Sequence, residues 1–418
     1  MALSLPEALA KLPRHPLLYS HPSPIHPLPA LTSYLNTNTN TNPPKSTKST
    51  PQIRLFAKRE DQSSPLACSG NKYRKLEYIV PDILSPQPLY NSYPNNTPNP
   101  NHPTPSQKTT TLVTEGAIQS NHTIQVSSLA NHLNLSSVAL LHKGTGGGLS
   151  ASTDKPSFLR TGNPQIAHLL GADIRVLEAG STNGGKIDTV EPVLAELRAA
   201  GKTPYWIPSG ASLHPLGGVG YARCAFEIAA QEKELGARFD YIFVACGSGS
   251  TVGGLIAGFK MLERMESSSS STSTSPSQNT GGKTNPPRKV IGIINSPTKP
   301  QTWHEERVLR FARQAGSLIG LEDASQAITL EADVHLDGRF AGAAYGVLDE
   351  DTKRTMEIAA RREALILDPV YTGKVLRGVM GWVEGGGLVG DWEGGGPLNA
   401  LFIHTGGQAA LAAYADIE

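Results

Sequence analysis

The stretch "YIFVACGSGSTVGGLIAGFKML" at residues 241–262 decides how the rest of the chain is read. Its first six residues form a short apolar run, as a buried strand requires. Gly247, Ser248, Gly249 and Ser250 break that run, and Thr251 opens an apolar segment of helical length. A strand that turns through Gly and Ser into a helix presents backbone N–H groups to an anion, with the helix dipole behind them. No Gly-Lys-Ser/Thr follows, and no acidic residue ends a neighbouring strand at the dinucleotide-binding distance. The loop therefore points to a single phosphate, although an ordinary Gly-rich turn is an equally open reading of these residues alone.

Working outward, the same strand–helix rhythm recurs. "TLVTEG" reads as a strand, and "NHTIQVSSLANHL" places Val126, Leu129, Ala130 and Leu133 on one helical face. "VALLH", "IRVL", "YWIP", "KVIGIIN", "ALILDPVY" and "LNALFIHTGG" read as further strands. "PQIAHLLG", "EPVLAELRAAG", "GVGYARCAFEIAAQEKELG" and "HEERVLRFARQAG" read as helices between them, with a last helix after the final strand. Such alternation implies an α/β fold of open, mainly parallel, helix-covered sheets, with ligands at the carboxyl ends of the strands.

Three segments interrupt this rhythm: 36–50 and 85–110, rich in Asn, Pro and Thr, and 266–287, rich in Ser and Thr. None carries enough apolar surface to offset the entropy of ordering, so each reads as an inserted surface loop. A shorter Gly-rich loop is expected at 384–397. The net charge of +1 offers no electrostatic basis for binding nucleic acid or an anionic membrane. No apolar run approaches a membrane span. Cys68, Cys224 and Cys246 lie far apart without a CxxC pair, which favours a reducing compartment and gives no metal-ligand spacing. The first thirty residues lack the plan of a secretory signal or an Arg- and Ser-rich transit peptide. They read as folded chain along the surface, and the cytosol is the expected location.

Four polar loops carry the chemistry. "SGNKYRK" sets Lys72 at the mouth of a helix, where a cation is mildly disfavoured unless something anionic or covalent awaits it. A solvated lysine is the bland reading, and the functional one is a Schiff-base amine whose pKa is depressed by the neighbouring cations Arg74 and Lys75. "EGAIQSNHT" carries Gln119-Ser120-Asn121-His122 between strand and helix, more polar groups than a cap needs. The Gly247–Thr251 loop is the third. The fourth is a pair, Tyr371 in "LDPVYTGK" and Thr405 in "FIHTGG", where packing or strand-end roles are the alternatives. Together these groups ask for one ligand: an aldehyde for the lysine, a phosphate for the loop, a ring oxygen for an asparagine and a ring nitrogen for a hydroxyl. Pyridoxal 5'-phosphate has all four.

With "SGNKYRKLEY", "GAIQSNH", "IPSGASLHPLGGVGY", "GSGSTVGG", "LDPVYTGK" and "FIHTGG" in family order, the chain resembles the 1-aminocyclopropane-1-carboxylate (ACC) deaminase/D-cysteine desulfhydrase family of pyridoxal-phosphate enzymes. The resemblance implies a two-domain, three-layer, tryptophan-synthase-β-like fold (fold type II). A large cofactor domain would comprise 1–75 with 205–418, and a small α/β domain 76–204. It further implies a homodimer acting on a small amino acid. Carried over by position, Lys72 is the Schiff-base lysine, and Lys75 holds the phosphate with Gly247, Ser248, Gly249, Ser250 and Thr251. Asn121 bonds the ring oxygen, and Thr405 meets the ring nitrogen. Ser120, Asn121, His122 and Tyr371 meet the substrate, and Ser120 and Tyr371 are acid or base groups.

Within the family, ACC deaminases tend to place a glutamate after the tyrosine, facing the ring nitrogen; here that residue is Thr372. A neutral hydroxyl such as Thr405 makes a weaker electron sink, sufficient for β-elimination of a thiolate. The first expectation is therefore a carbon–sulfur lyase converting D-cysteine to pyruvate, sulfide and ammonia. The alternative is an ACC deaminase releasing 2-oxobutyrate and ammonia, which "HPLGG" at 214–218 favours.

Overall fold

The computed structural model describes residues 3–41, 52–91, 93, 108–143, 156–177, 188–270, 286–388 and 396–415. Within these residues the strands are β1 (Ile25–Pro27), β2 (Ile53–Arg59), β3 (Thr111–Ala117), β4 (Ser136–His142), β5 (Asp173–Leu177), β6 (Pro204–Ile207), β7 (Tyr241–Cys246), β8 (Lys289–Ile294), β9 (His335–Asp337) and β10 (Leu398–His404). They form two sheets, one ordered β1-β2-β10-β7-β8-β9 and the other β5-β4-β3-β6. Only β1 runs antiparallel to its neighbour. It is three residues long and includes Pro27, which lacks an N–H and so suits a sheet edge.

The larger sheet is covered on both faces. Leu401 and Ile403 of β10 pack to one side with Val219, Leu255 and Val308, drawn from the helices Val219–Leu235, Ser250–Ser270 and Gln301–Leu318. Ala400 and Phe402 pack to the other side with Leu31, Ala359 and Val379, from the helices Pro29–Thr41, Glu350–Glu363 and Thr372–Glu384. Successive strand side chains point to opposite faces, so the unbroken apolar run Ala400–Ile403 in β10 is what a doubly covered parallel sheet demands. Leu401, Phe402 and Ile403 each contribute about 1.5–3 kcal/mol when fully buried.

The helix Asn71–Ile83 joins the two sheets. Tyr73, Leu76, Ile79, Val80 and Ile83 enter the core beneath the small sheet, against Leu112, Leu129 and Tyr205. Its opposite side meets the helix Val219–Leu235 so closely that a Cβ on Gly220 would lie 1.9 Å from the Arg74 carbonyl oxygen. The bounds expected at 75/76 and 204/205 thus cut a helix and β6. We propose residues 71–207 as the small domain, since they carry that sheet and its packing helix.

Three other expectations change. "ALILDPVY" is not a strand: Leu365 and Leu367 are buried, but the segment joins no ladder, and the Ile366 carbonyl accepts from His404 Nε2 at 2.9 Å. The Asn/Thr-rich segment begins as helix through Thr41, and the Ser-rich one as helix through Ser270; 42–50 and 271–285 lie outside the described residues. The start of the 85–110 insertion is anchored to the small domain. Asp82 caps the backbone N–H groups of Leu89 and Tyr90, Asn91 pairs with the Pro204 carbonyl and the Trp206 N–H, and Tyr93 packs edge-on against Trp206.

Candidate active site

The carboxyl ends of β3 and β4 face those of β7, β8 and β10 across one cavity of about 480 Å³. Lys72, Ser120, Asn121, His122, Gly247, Ser248, Gly249, Thr251, Tyr371 and Thr405 all line it. Lys75 and Ser250, expected among them, stand beneath the loop instead. Lys75 Nζ is fully buried and donates to the Gly210 carbonyl (3.0 Å) and to Ser250 Oγ (2.9 Å). Ser250 Oγ also shares a hydrogen bond with Ser212 Oγ at 2.9 Å. These two residues brace the loop's underside rather than line the cavity.

Lys72 is the second residue of its helix, directly after the extended Gly70 and Asn71. Its backbone N–H donates to Gln125 Oε1 at 3.1 Å, and its Nζ donates to Asn71 Oδ1 at 2.8 Å. Burial lowers its pKa to about 8, against which the Asp368 carboxylate acts. The expected cause, repulsion from Arg74 and Lys75, is not what lowers it; the Lys72 charge instead acts on Lys75, whose pKa burial lowers most and that charge lowers further. Arg74 turns away into a buried ion cluster, donating to Glu60 at 2.7 and 2.9 Å and pairing with Glu227 at 3.0 Å. Tyr221 and Ser23 add hydroxyl bonds to Glu60; against full burial, Arg74, Lys58 and Ser23 hold its carboxyl down at about 2. This cluster fixes the helix that carries Lys72.

Ser120 caps the helix Asn121–His132, its Oγ accepting from the His122 N–H at 3.2 Å. Asn121 Oδ1 accepts from Asn163 Nδ2 at 3.0 Å. His122 is buried, and burial with the nearby lysines keeps its imidazole neutral. The Tyr371 ring lies 5.8 Å from Lys72 Nζ. Its phenol is pushed up to about 12 by burial, while hydrogen bonds with Tyr345 and Ser120 pull the other way.

Thr372, the residue after Tyr371, does not line the cavity. Its hydroxyl donates to Asp368 Oδ1 and accepts from the Asp368 N–H, both at 2.7 Å. Asp368 also accepts from the N–H groups of Val370, Tyr371 and Thr372, so the turn before Thr372–Glu384 holds this hydroxyl away from the cavity.

Two contributors were missed. Tyr345 lines the cavity and shares a hydrogen bond with Tyr371 through their hydroxyls. It lies in an unstructured stretch where a lone tyrosine gives no sequence signal. Asn71 ties the helix to the Gly/Ser loop: Nδ2 donates to Thr251 Oγ1 (3.2 Å) and its N–H to the Thr405 carbonyl (3.2 Å). Its place in "SGNK" was the signal available.

This arrangement fits pyridoxal phosphate. The amine is desolvated, and the Gly/Ser loop opens the helix Ser250–Ser270 with Gly249 at φ +98°, a conformation that disfavours a side chain. A Cβ at Gly407 (φ +114°) would fall 2.8 Å from Asn121 Nδ2, so glycine keeps that amide uncrowded. Asn295, one per cent exposed and lining the cavity, has neither amide atom bonded to protein.

Residues 32–406 match the family described as pyridoxal-phosphate dependent enzyme. ACC deaminase from Burkholderia multivorans is 36% identical over 409 residues, covering 98% of each chain. The Burkholderia vietnamiensis enzyme of the same name is 35% identical over 409 residues, again at 98% of each. The crystal structure of an ACC deaminase homologue aligns with TM-score 0.68 and 25% identity, over 98% of this chain and 96% of that one. Diaminopropionate ammonia lyase from Escherichia coli shares the fold at TM-score 0.55 and 15% identity, over 97% and 88%. With a buried amine, a Gly/Ser loop that opens a helix in the same cavity and this near-full-length similarity together, the chain belongs to the pyridoxal-phosphate dependent enzymes, of fold type II and similar to ACC deaminases.

Proposed function

We propose that the protein deaminates a small α-amino acid to a 2-oxo acid and ammonia, and that ACC, giving 2-oxobutyrate, is its first candidate substrate. The observation that carries the reaction type is the meeting of the Lys72 amine with Ser120, Tyr371 and Tyr345 in one cavity. The named relatives support ACC better than they support D-cysteine. Bound pyridoxal phosphate supplies an electron sink for charge developing at the substrate α-carbon. The chain supplies the rest. Lys72, with its pKa near 8, has an appreciable free-amine fraction near neutral pH and serves as nucleophile and proton carrier at Nζ. Tyr371 remains protonated at neutral pH and donates from its hydroxyl, with Tyr345 fixing that hydroxyl's direction. Ser120 Oγ and the Asn121 amide orient the substrate and cofactor. Lys75 braces the phosphate loop from beneath.

D-Cysteine remains the second reading, favoured by one observation. Thr405, a neutral hydroxyl, lines the cavity, and Asp368 is excluded from its lining. Without a carboxylate at the ring the sink is weaker, which suits departure of a thiolate better than opening of a cyclopropane. A paired product assay on the purified, cofactor-loaded protein tests both. One arm follows 2-oxobutyrate and ammonia from ACC, and the other pyruvate and sulfide from D-cysteine with L-cysteine as control. Sulfide without 2-oxobutyrate would give the second reading precedence; no oxo acid from either substrate would refute the reaction type.

A further inference from the structure

The wall of the cavity built by the helix Gln301–Leu318 contains polar groups for which the roles above provide no partner. Arg307 lines the cavity, and its Nε donates to the Ser248 carbonyl at 2.9 Å. Its guanidinium lies 4.9 Å from the Trp303 ring centre and 5.2 Å from that of Phe311. Among the described residues no carboxylate pairs with it, and the neighbouring charge that acts on it most is another cation, Arg310. A partly desolvated guanidinium without an anion is unfavourable unless a ligand provides one. One turn earlier, His304 is five per cent exposed, lines the same cavity and has neither ring nitrogen bonded. Burial and the Arg307 charge keep it neutral, so it can donate from one nitrogen. Asn295, unpartnered at both amide atoms, completes the group from the end of β8. Two of the three flank the Gly247–Gly249 turn: Arg307 bonds the Ser248 carbonyl, and a Cβ on Gly247 would lie 3.1 Å from Asn295 Oδ1.

We propose that this wall is an oxyanion subsite centred on Arg307, with His304 and Asn295 as neutral hydrogen-bond partners, and that it takes a phosphate-type group. Two sources share this chemistry, the cofactor's own phosphate and a free anion, and the inference holds whichever amino acid is the substrate.

The test is a set of titrations on wild type, Arg307→Gln and Arg307→Lys. Pyridoxal phosphate is titrated into cofactor-free protein and followed by absorption; inorganic phosphate is titrated calorimetrically into cofactor-free and cofactor-loaded protein. Loss of a charge-assisted bond should weaken binding about tenfold or more in Arg307→Gln, with Arg307→Lys retaining most of the affinity. An effect on cofactor binding, and on phosphate binding to cofactor-free protein alone, assigns the subsite to the cofactor's phosphate. Phosphate binding by the loaded protein that Arg307→Gln abolishes assigns it to a free anion. Unchanged affinities throughout would overturn the subsite. Equal losses in the Lys and Gln variants would overturn it too, because Arg307 would then merely hold the Ser248 carbonyl.

Discussion

Lys72 should destabilise the cofactor-free protein, and removing it should stabilise the fold. Its amine is carried into the interior and its pKa falls from 10.5 to about 8. That difference of 10.5 − 8, about 2.5 units, corresponds to about 3.4 kcal/mol at 1.36 kcal/mol per unit. The sign follows from proton binding. Below pH 8 both folded and unfolded states are protonated, and the fold bears the whole cost. Between 8 and 10.5 the unfolded chain holds the proton that the folded chain has released, so wild-type stability rises with pH. Above 10.5 the cost is gone. Lys72→Met removes the charge while keeping the side-chain length. The hydrogen bond to Asn71 Oδ1 is lost with it, offsetting about 1 kcal/mol. The variant should therefore be more stable than wild type at pH 7 by about 2 kcal/mol, with the advantage fading towards pH 10. Urea unfolding of the two cofactor-free proteins at pH 7, 8.5 and 10 measures this directly. A wild type as stable as the variant at pH 7, or a difference that does not shrink with pH, would refute the desolvation argument.

Other substitutions probe other parts of the account. Tyr345→Phe takes from Tyr371 its hydroxyl partner, and kcat should fall roughly tenfold to a hundredfold with little change in KM, read in steady-state oxo-acid release. Gly407→Ala places a Cβ 2.6 Å from Asp368 Cγ at φ +114°, and equilibrium dialysis should show cofactor affinity falling while wild-type-like circular dichroism is kept. Glu60→Gln leaves Arg74 with a buried charge only partly compensated and should cost about 3–5 kcal/mol in urea unfolding. With Glu60 held near 2, its stabilisation in wild type is complete above about pH 4.5 and declines as pH falls towards 2.

Much of this was legible in the sequence because it is local. The turn after "YIFVAC" and the polar run Gln119–His122 announce themselves through residues adjacent in the chain. Short apolar runs found most strands of both sheets, and 3.6-residue spacing found the helix after β3. What escaped depends on tertiary placement. Lys75 was expected to hold the phosphate together with the loop that contains Ser250, yet both are bonded beneath that loop, where Gly210 and Ser212 complete their bonding. Thr372 sits beside Tyr371 in sequence, but Asp368 claims its hydroxyl. Arg74 was counted as a cation near Lys72, and only the fold reveals Glu60 and Glu227 neutralising it. "ALILDPVY" has the composition of a strand, but composition does not show whether a ladder has room for it. Tyr345, 26 residues before Tyr371, reaches it only through the folded chain.

The most direct test of the central claim is to find where the cofactor attaches. The pyridoxal-phosphate-loaded protein is reduced with borohydride, digested and mapped by mass spectrometry. The account predicts the pyridoxyl-phosphate mass on Lys72 alone, together with loss of the visible band and of oxo-acid release in Lys72→Ala. A modified lysine elsewhere, or a Lys72→Ala protein that keeps band and turnover, would contradict it.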